Sequence, residues 1–233
     1  IGGNYYLTLA EALAAAQDGN EVEILVAGTY KVPTGKNITI TGAVDGVVFD
    51  NIGAHNMGGA SVTFNNVTFD YYPNVNYTGL QHSGNLTYNN CTFNGQVFLY
   101  GQSETFNNCT FNQNSSDAYN VWTYGAKAVE FNGCTFNCAG KSVLIYRETN
   151  AEAHVINVKD CAFIASAPVS GKAAIEIDTS LMTNENAVTL TISNSTATGF
   201  DEGYVSGNTL WNDKKDCTNL SVTVDNVHVW PVP

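Results

Sequence analysis

One short phrase recurs along the chain and limits its fold more than any other feature. It reads Phe64-Asn65-Asn66-Val67-Thr68-Phe69, then Tyr88-Asn89-Asn90-Cys91-Thr92-Phe93, Phe106-Asn107-Asn108-Cys109-Thr110-Phe111 and Phe131-Asn132-Gly133-Cys134-Thr135-Phe136. Weaker copies follow at Val158–Phe163, Ile192–Thr196 and Val224–Val229. Each copy is an alternating stretch, a polar pair and a second alternating stretch, the pattern of two strands meeting at a sharp corner. Asn, Asp and Gly suit that corner because they accept left-handed backbone at small cost. A further strand-like run lies between copies, at Gln96–Gly101, Asn120–Gly125, Ser142–Arg147 and Ala173–Asp178. Three short strands cannot close a core alone, so the copies must stack. The expectation is an all-β parallel solenoid. With residues 21–229 forming about eight coils at about 4.8 Å each, residues 1–233 make a single domain.

The ends and the composition agree with stacking. Thr8 and Glu11 have capping-box spacing, and Leu9, Ala12, Leu13 and Ala16 fall at helical spacing before Asp18-Gly19. This predicts a short helix over 8–17 that lids the first coil. Trp230-Pro231-Val232-Pro233 cannot extend a ladder and is expected to end the stack or open a linker. Only 13% of the residues are charged, so surface polarity comes from Asn, Thr and Gly. The net charge of −12 and a single arginine argue against a nucleic-acid partner, because phosphate backbones are bound by Lys and Arg. No apolar run reaches the length of a membrane span. The opening residues lack a basic segment followed by an apolar one, so the expectation is a mature or trimmed chain of a soluble protein.

Four of the six cysteines, Cys91, Cys109, Cys134 and Cys161, occupy one repeat position that elsewhere holds Val67, Ser195 and Val227. That is the signature of a small inward-facing slot, although neighbouring coils lie within disulfide reach. Cys138 and Cys217 fall outside the slot and have no evident pairing. Cys134 and Cys138 lack the further ligands of a zinc site, so no metal site is expected. His55, His82, His154 and His228 share no repeat position and are expected on the surface or in turns.

The opening Tyr6-Leu7-Thr8-Leu9-Ala10-Glu11-Ala12, with Asp18-Gly19-Asn20, Gly28-Thr29-Tyr30 and the Asn-Asn-Cys-Thr-Phe coils, resembles the right-handed parallel β-helix proteins of the pectin-lyase-like type. The resemblance covers almost the whole chain and implies a bacterial surface or secreted protein. It is specific for fold and poor for function, since this architecture hosts lyases, glycosidases, adhesins and phage spikes.

The run between copies carries the candidate site. Exposing the carboxylates of Glu176 and Asp178 is far cheaper than burying them unpaired, so Ile175 and Ile177 point inward. Stacking in register then places Phe98, Tyr100, Trp122, Tyr124 and Tyr146 outside, as an aromatic stripe ending at Glu176 and Asp178. A slip of one residue would bury every ring. Left open, the stripe is a platform for sugar rings, and these five residues are the expected ligand-binding set for a glycan or polysaccharide. Covered by loops such as 112–118 or 148–153, it is a secondary core. For catalysis, Glu176 and Asp178 stand about 7 Å apart by strand rise, within the range of an acid and a base in inverting glycosidic cleavage. The resemblance implies for a lyase an Arg or Lys base, often beside an acidic cluster holding calcium. Arg147, Glu176 and Asp178 are therefore the candidate catalytic residues, with Lys141 and Lys172 as substitutes for the base. No Asp-rich set spans three adjacent coils, which departs from that pattern, so calcium is expected only if the protein is a lyase and no other cofactor is implied. The expected function is a secreted or cell-surface module that binds carbohydrate or adheres. The alternatives are a polysaccharide lyase or glycoside hydrolase, and a structural spacer in a larger surface or fibre protein.

Overall fold

The computed structural model describes residues 1–32, 35–50, 53–70, 80–146, 153–178, 188–203, 207–213 and 219–230, with backbone alone at 53–58, 80–82 and 213. The central coils run through three sheets in turn. In one central coil Ser103–Asn107 lies in the first sheet, Thr110–Asn112 in the second and Val121–Trp122 in the third. Successive coils pair parallel and in register. Phe106 sits between Tyr88 and Phe131, Phe111 between Phe93 and Phe136, and Val121 between Val97 and Val143. The second sheet has 8 strands, while Gly53–Asn65 and Leu80–Asn89 run through the corner between the third and first sheets and join them into one sheet of 15. The chain is thus an all-β parallel solenoid of stacked coils, and among the described residues no helix is long and apolar enough to cross a membrane.

The repeat phrase explains the stacking residue by residue. Its second polar position is left-handed in coil after coil: Asn66, Asn90, Asn108, Asp160 and Asn194 have φ between 46° and 56°, and Gly133 has 64°. The first polar position faces out and builds a ladder. Asn132 donates to Asn107, Asn107 to Asn89, Asn89 to Asn65 and Asn65 to Thr41, at 2.8–3.0 Å. A second ladder joins Asn137, Asn112 and Asn94. The amides therefore saturate one another along the axis, which satisfies polar groups that stacking would otherwise strand. Inside, Phe69, Phe93, Phe111, Phe136 and Phe163 stack with ring centroids 4.6–4.9 Å apart. Edge-to-face contacts join them to the column of Phe64, Tyr88, Phe106 and Phe131.

Cys91, Cys109, Cys134 and Cys161 fill the small inward slot as free thiols, and Cys138, outside the slot, is likewise a buried free thiol. Each slot thiol donates to a carbonyl of the preceding coil, as Cys134 does to Phe106 O at 3.4 Å. Hydrogen bonding with the Cys109 thiol, and then burial, pushes Cys134 up to about 12, which leaves no thiolate to react at neutral pH. Cys217 lies outside the described residues.

The two ends differ from the coils. The cap helix spans Leu9–Ala15 with the Thr8–Glu11 capping box formed, and Ala12 and Ala16 buried. It stops short of the expected 17 because Ala16 is extended and the Lys36 ammonium binds the free carbonyls of Leu13 and Ala16, both at 2.6 Å. At the far end the last copy of the phrase is not a coil, contrary to expectation. Asp225 and Asn226 are both left-handed (φ 47° and 66°), so the chain reverses in a two-residue hairpin, and Val227–Trp230 pairs antiparallel with Leu220–Val224. One left-handed residue turns a corner, whereas two in succession reverse the strand.

Candidate functional site

The parity inferred for the third sheet is the parity found. Val97, Leu99, Val121, Val143, Ile145, Ile175 and Ile177 lie in the core. Phe98 pairs with Trp122, Trp122 with Leu144, Leu144 with Glu176 and Glu176 with Asn212. The outer face therefore carries two rows along the solenoid axis. The first is Phe98, Trp122, Leu144, Glu176 and Asn212. The second is Tyr100, Tyr124 and Tyr146, followed by Asp178 in register with Tyr146.

The rows differ in access. Phe98 is 2% exposed, Glu176 4% and Leu144 6%, whereas Trp122, Tyr100, Tyr124, Tyr146 and Asp178 are half-buried. Two connections in this region are long and bring side chains to the first row. From Asn94 to Val97 the chain needs only Gly95 and Gln96, but 113–120 intervene in the next coil and 166–174 two coils on. The 113–120 segment packs on itself, with Gln113 bonded to Tyr119 O and to the Ser115 N–H. It then lays Tyr119 edge-on against Trp122, ring centroids 5.7 Å apart. The Tyr119 hydroxyl donates to Glu176 Oε2 at 2.5 Å, and Lys172, from the other long segment, meets Glu176 Oε1 at 2.6 Å. Lys172 Nζ is 3.4 Å from the Tyr119 hydroxyl, and Lys141 lies 5.8 Å from the Tyr119 ring centroid. Glu176 is thus the clasp of a strap drawn across the face.

The second row is partly exposed, and residues 148–152 of the loop expected to cover the stripe lie outside the described residues. Tyr100 and Tyr124 have ring centroids 5.1 Å apart and Tyr124 and Tyr146 5.0 Å, each pair tilted. Trp122 touches Phe98, Tyr124 and Tyr146 from beneath. The tyrosines lean on one another, one per coil, and each is partly exposed.

Of the residues named from sequence, the structure brings together the five aromatics, Glu176 and Asp178, and it also draws in Lys172 and Lys141. Arg147 lies outside the described residues. Phe98 is buried against Trp122 and Tyr124 and is not part of the exposed surface. Both carboxylate oxygens of Glu176 are engaged. Among the described residues no three His, Cys, Asp or Glu side chains cluster as metal ligands.

Three features escaped the sequence reading. Tyr119 was invisible as a clasp because its partner is distant in sequence; the only signal is an aromatic in an otherwise Asn- and Ser-rich loop. His154 is buried, not at the surface, and its Nε2 lies 2.7 Å from Thr123 Oγ1, also inside. It sits two residues before Ile156, on the inward parity. Glu104 is fully buried, two residues before Phe106 on the same parity. Its Oε1 accepts the Gly101 N–H at 2.7 Å while Oε2 has no partner, and burial pushes its carboxyl up to about 8. This acid braces the corner immediately after Tyr100.

Comparison of the chain with models of known protein families, with curated proteins and with solved structures finds no match.

Proposed function

We propose that this solenoid is a secreted or cell-surface module, of bacterial origin, that binds glycan or adheres to glycan-bearing surfaces through the row Tyr100–Tyr124–Tyr146 and Asp178. The observation that supports it is the half-exposure of three in-register tyrosines beside a carboxylate, on a solenoid whose second sheet presents chiefly Thr and Asn to solvent. Tyrosine pairs an apolar body with a polar tip and loses little side-chain entropy on binding. A row of partly exposed rings suits a ligand that presents apolar C–H faces. The pectin-lyase-like resemblance of the coils and of the capped N-terminus is in keeping with a carbohydrate partner, and rigid in-register stacking holds the row in place before binding, which lowers the entropic cost.

The test is a glycan array read with the wild type and with Tyr124→Ala/Tyr146→Ala. Binding of at least one glycan by the wild type, weakened roughly tenfold or more in the variant with an unchanged circular dichroism spectrum, is the expected result. Unaltered binding by the variant, or no glycan retained by the wild type across a panel of neutral, amino and acidic polysaccharides, overturns the proposal.

A second reading is favoured by one contact, the approach of Lys172 to the Tyr119 hydroxyl beside Glu176. A lysine, a phenol and a carboxylate within hydrogen-bond reach are acid and base groups of the kind a polysaccharide lyase or glycoside hydrolase uses. On that reading, release of unsaturated or reducing ends, measured with and without calcium, disappears in Lys172→Met.

A further inference from the structure

The first coil leaves an edge of the β-structure with no strand beside it. Glu21–Ile24 pairs with Ile38–Gly42 and with no other described strand. The carbonyls of Asn20 and Ile24 accept the N–H groups of Thr39 and Ala43. By the alternation of a parallel ladder, Glu21 and Glu23 then aim their own N–H and C=O away from the sheet. Such a row of unpaired groups is a template for another strand.

Beside this edge runs a groove of about 720 Å³, lined on one side by Gly19–Val26 and Tyr30 and on the other by Ile1–Leu9 and Ala12. Its rim is apolar and bare: Leu7 is 97% exposed, Tyr5 84% and Val26 68%, with Leu25 next to them. Elsewhere the exposed Val155, Ile164 and Val227 sit on separate strands. Contiguous exposed apolar surface of this kind marks a site of interaction.

We propose that this end of the solenoid accepts an extended peptide strand from a partner protein, one that alternates basic and apolar residues. The alternation follows from the edge itself. Residues paired across a ladder lie on the same face. Those beside Val22 and Ile24 face the buried side and must be apolar, while those beside the exposed carboxylates of Glu21 and Glu23 are favoured as Lys or Arg. The partner's backbone completes the unpaired N–H and C=O row, as in strand addition generally. A second copy of this chain is disfavoured, because two such edges paired antiparallel would set Glu21 and Glu23 against their own counterparts, like charge facing like.

The probe is a fluorescently labelled peptide of alternating lysine and valine, titrated against the full chain and followed by anisotropy. Saturable binding is expected, weakened about tenfold or more by Glu21→Lys/Glu23→Lys and by Leu7→Asp, a fully exposed position whose replacement leaves the fold intact. N-methylation of every second peptide nitrogen along the pairing edge should abolish binding, since it removes the donors and leaves the charge. Equal binding of the N-methylated peptide, insensitivity to all three substitutions, self-association of the protein in sedimentation that Leu7→Asp abolishes, or partition onto phosphatidylcholine vesicles in place of peptide binding each overturns the proposal.

Discussion

The second and third sheets of this solenoid enclose the same interior and turn opposite faces to the outside. On the second sheet, Thr68, Thr92, Thr110 and Thr135 and the Asn94–Asn112–Asn137 ladder stand half-exposed. On the third, Phe98, Trp122 and Leu144 occupy equivalent outward positions, Phe98 and Leu144 are buried, and Tyr119 of 113–120 packs on Trp122 and meets Lys172 of 166–174 at Glu176. Inward residues alone close the coil, so outward ones are free to vary. Where they are polar the sheet stays bare; where they are aromatic the chain needs longer connections to shield them. Tyr100, Tyr124 and Tyr146 stay partly exposed, and that asymmetry makes the third sheet the place to look for a ligand.

The strongest way to break the contrast is through pH. Glu104 holds the Gly101 N–H at the corner that ends the tyrosine row, and its carboxyl is pushed from the ordinary 4.5 up to about 8 by burial. A raised acid is protonated in the folded chain and ionised in the unfolded one between these values. Its contribution to stability is therefore whole below pH 4.5, eroded as pH climbs, and lost once pH passes 8. Between pH 5 and 8.5 the loss is on the order of 4 kcal/mol. Urea titrations should show Glu104→Gln unfolding at nearly constant stability across this range while the wild type declines. A parallel decline in both proteins would show that Glu104 is not the group responsible.

The second test opens the strap. Replacing Glu176 by Ala leaves the Lys172 ammonium and the Tyr119 hydroxyl without their shared acceptor at a covered position, which costs about 3 kcal/mol. Trp122 fluorescence should shift to the red and amide exchange over 113–120 should accelerate, while the Thr and Asn columns of the second sheet keep their protection. Tyr119→Phe removes one of the two bonds and should cost about 1 kcal/mol. Equal exchange in both sheets after Glu176→Ala would mean that the strap is not a separate unit.

The same contrast separates what the sequence discloses from what it hides. The coil was legible because its rules are local. An Asn pair before Cys-Thr-Phe states a corner, a ladder and an inward slot within six residues, and strand parity extends that logic to Ile175 and Ile177. The hairpin at Asp225-Asn226 was misread because Asp-Asn and Asn-Asn are alike in composition, and whether one residue or both turn left-handed depends on whether a further coil follows. The clasp was hidden for another reason: Tyr119 and Glu176 are 57 residues apart, and no periodicity relates a loop tip to a strand two coils away. Glu104 and His154 obeyed the parity rule but broke the expectation that inward positions are apolar, a choice settled by the donors waiting at Gly101 and Thr123.

The smallest effect belongs to the bare side and tests whether its regularity is geometric or chemical. Asn108 turns the corner at φ 53°, and in the next coil Gly133 does so at 64°. If the corner asks only for left-handed backbone, Asn108→Gly should cost little, since Gly adopts that backbone freely, whereas Asn108→Ala should cost about 1 kcal/mol, because Ala lacks the short polar side chain that lets Asn adopt this conformation. Thr110→Ala, two residues on and facing water, should change stability by less than about 0.5 kcal/mol. Thermal denaturation of the three variants ranks them directly. Gly and Ala equal at position 108 would mean that the Asn side chain, and not the backbone turn, holds the corner; the bare face would then depend on its amides as the covered face depends on its clasp.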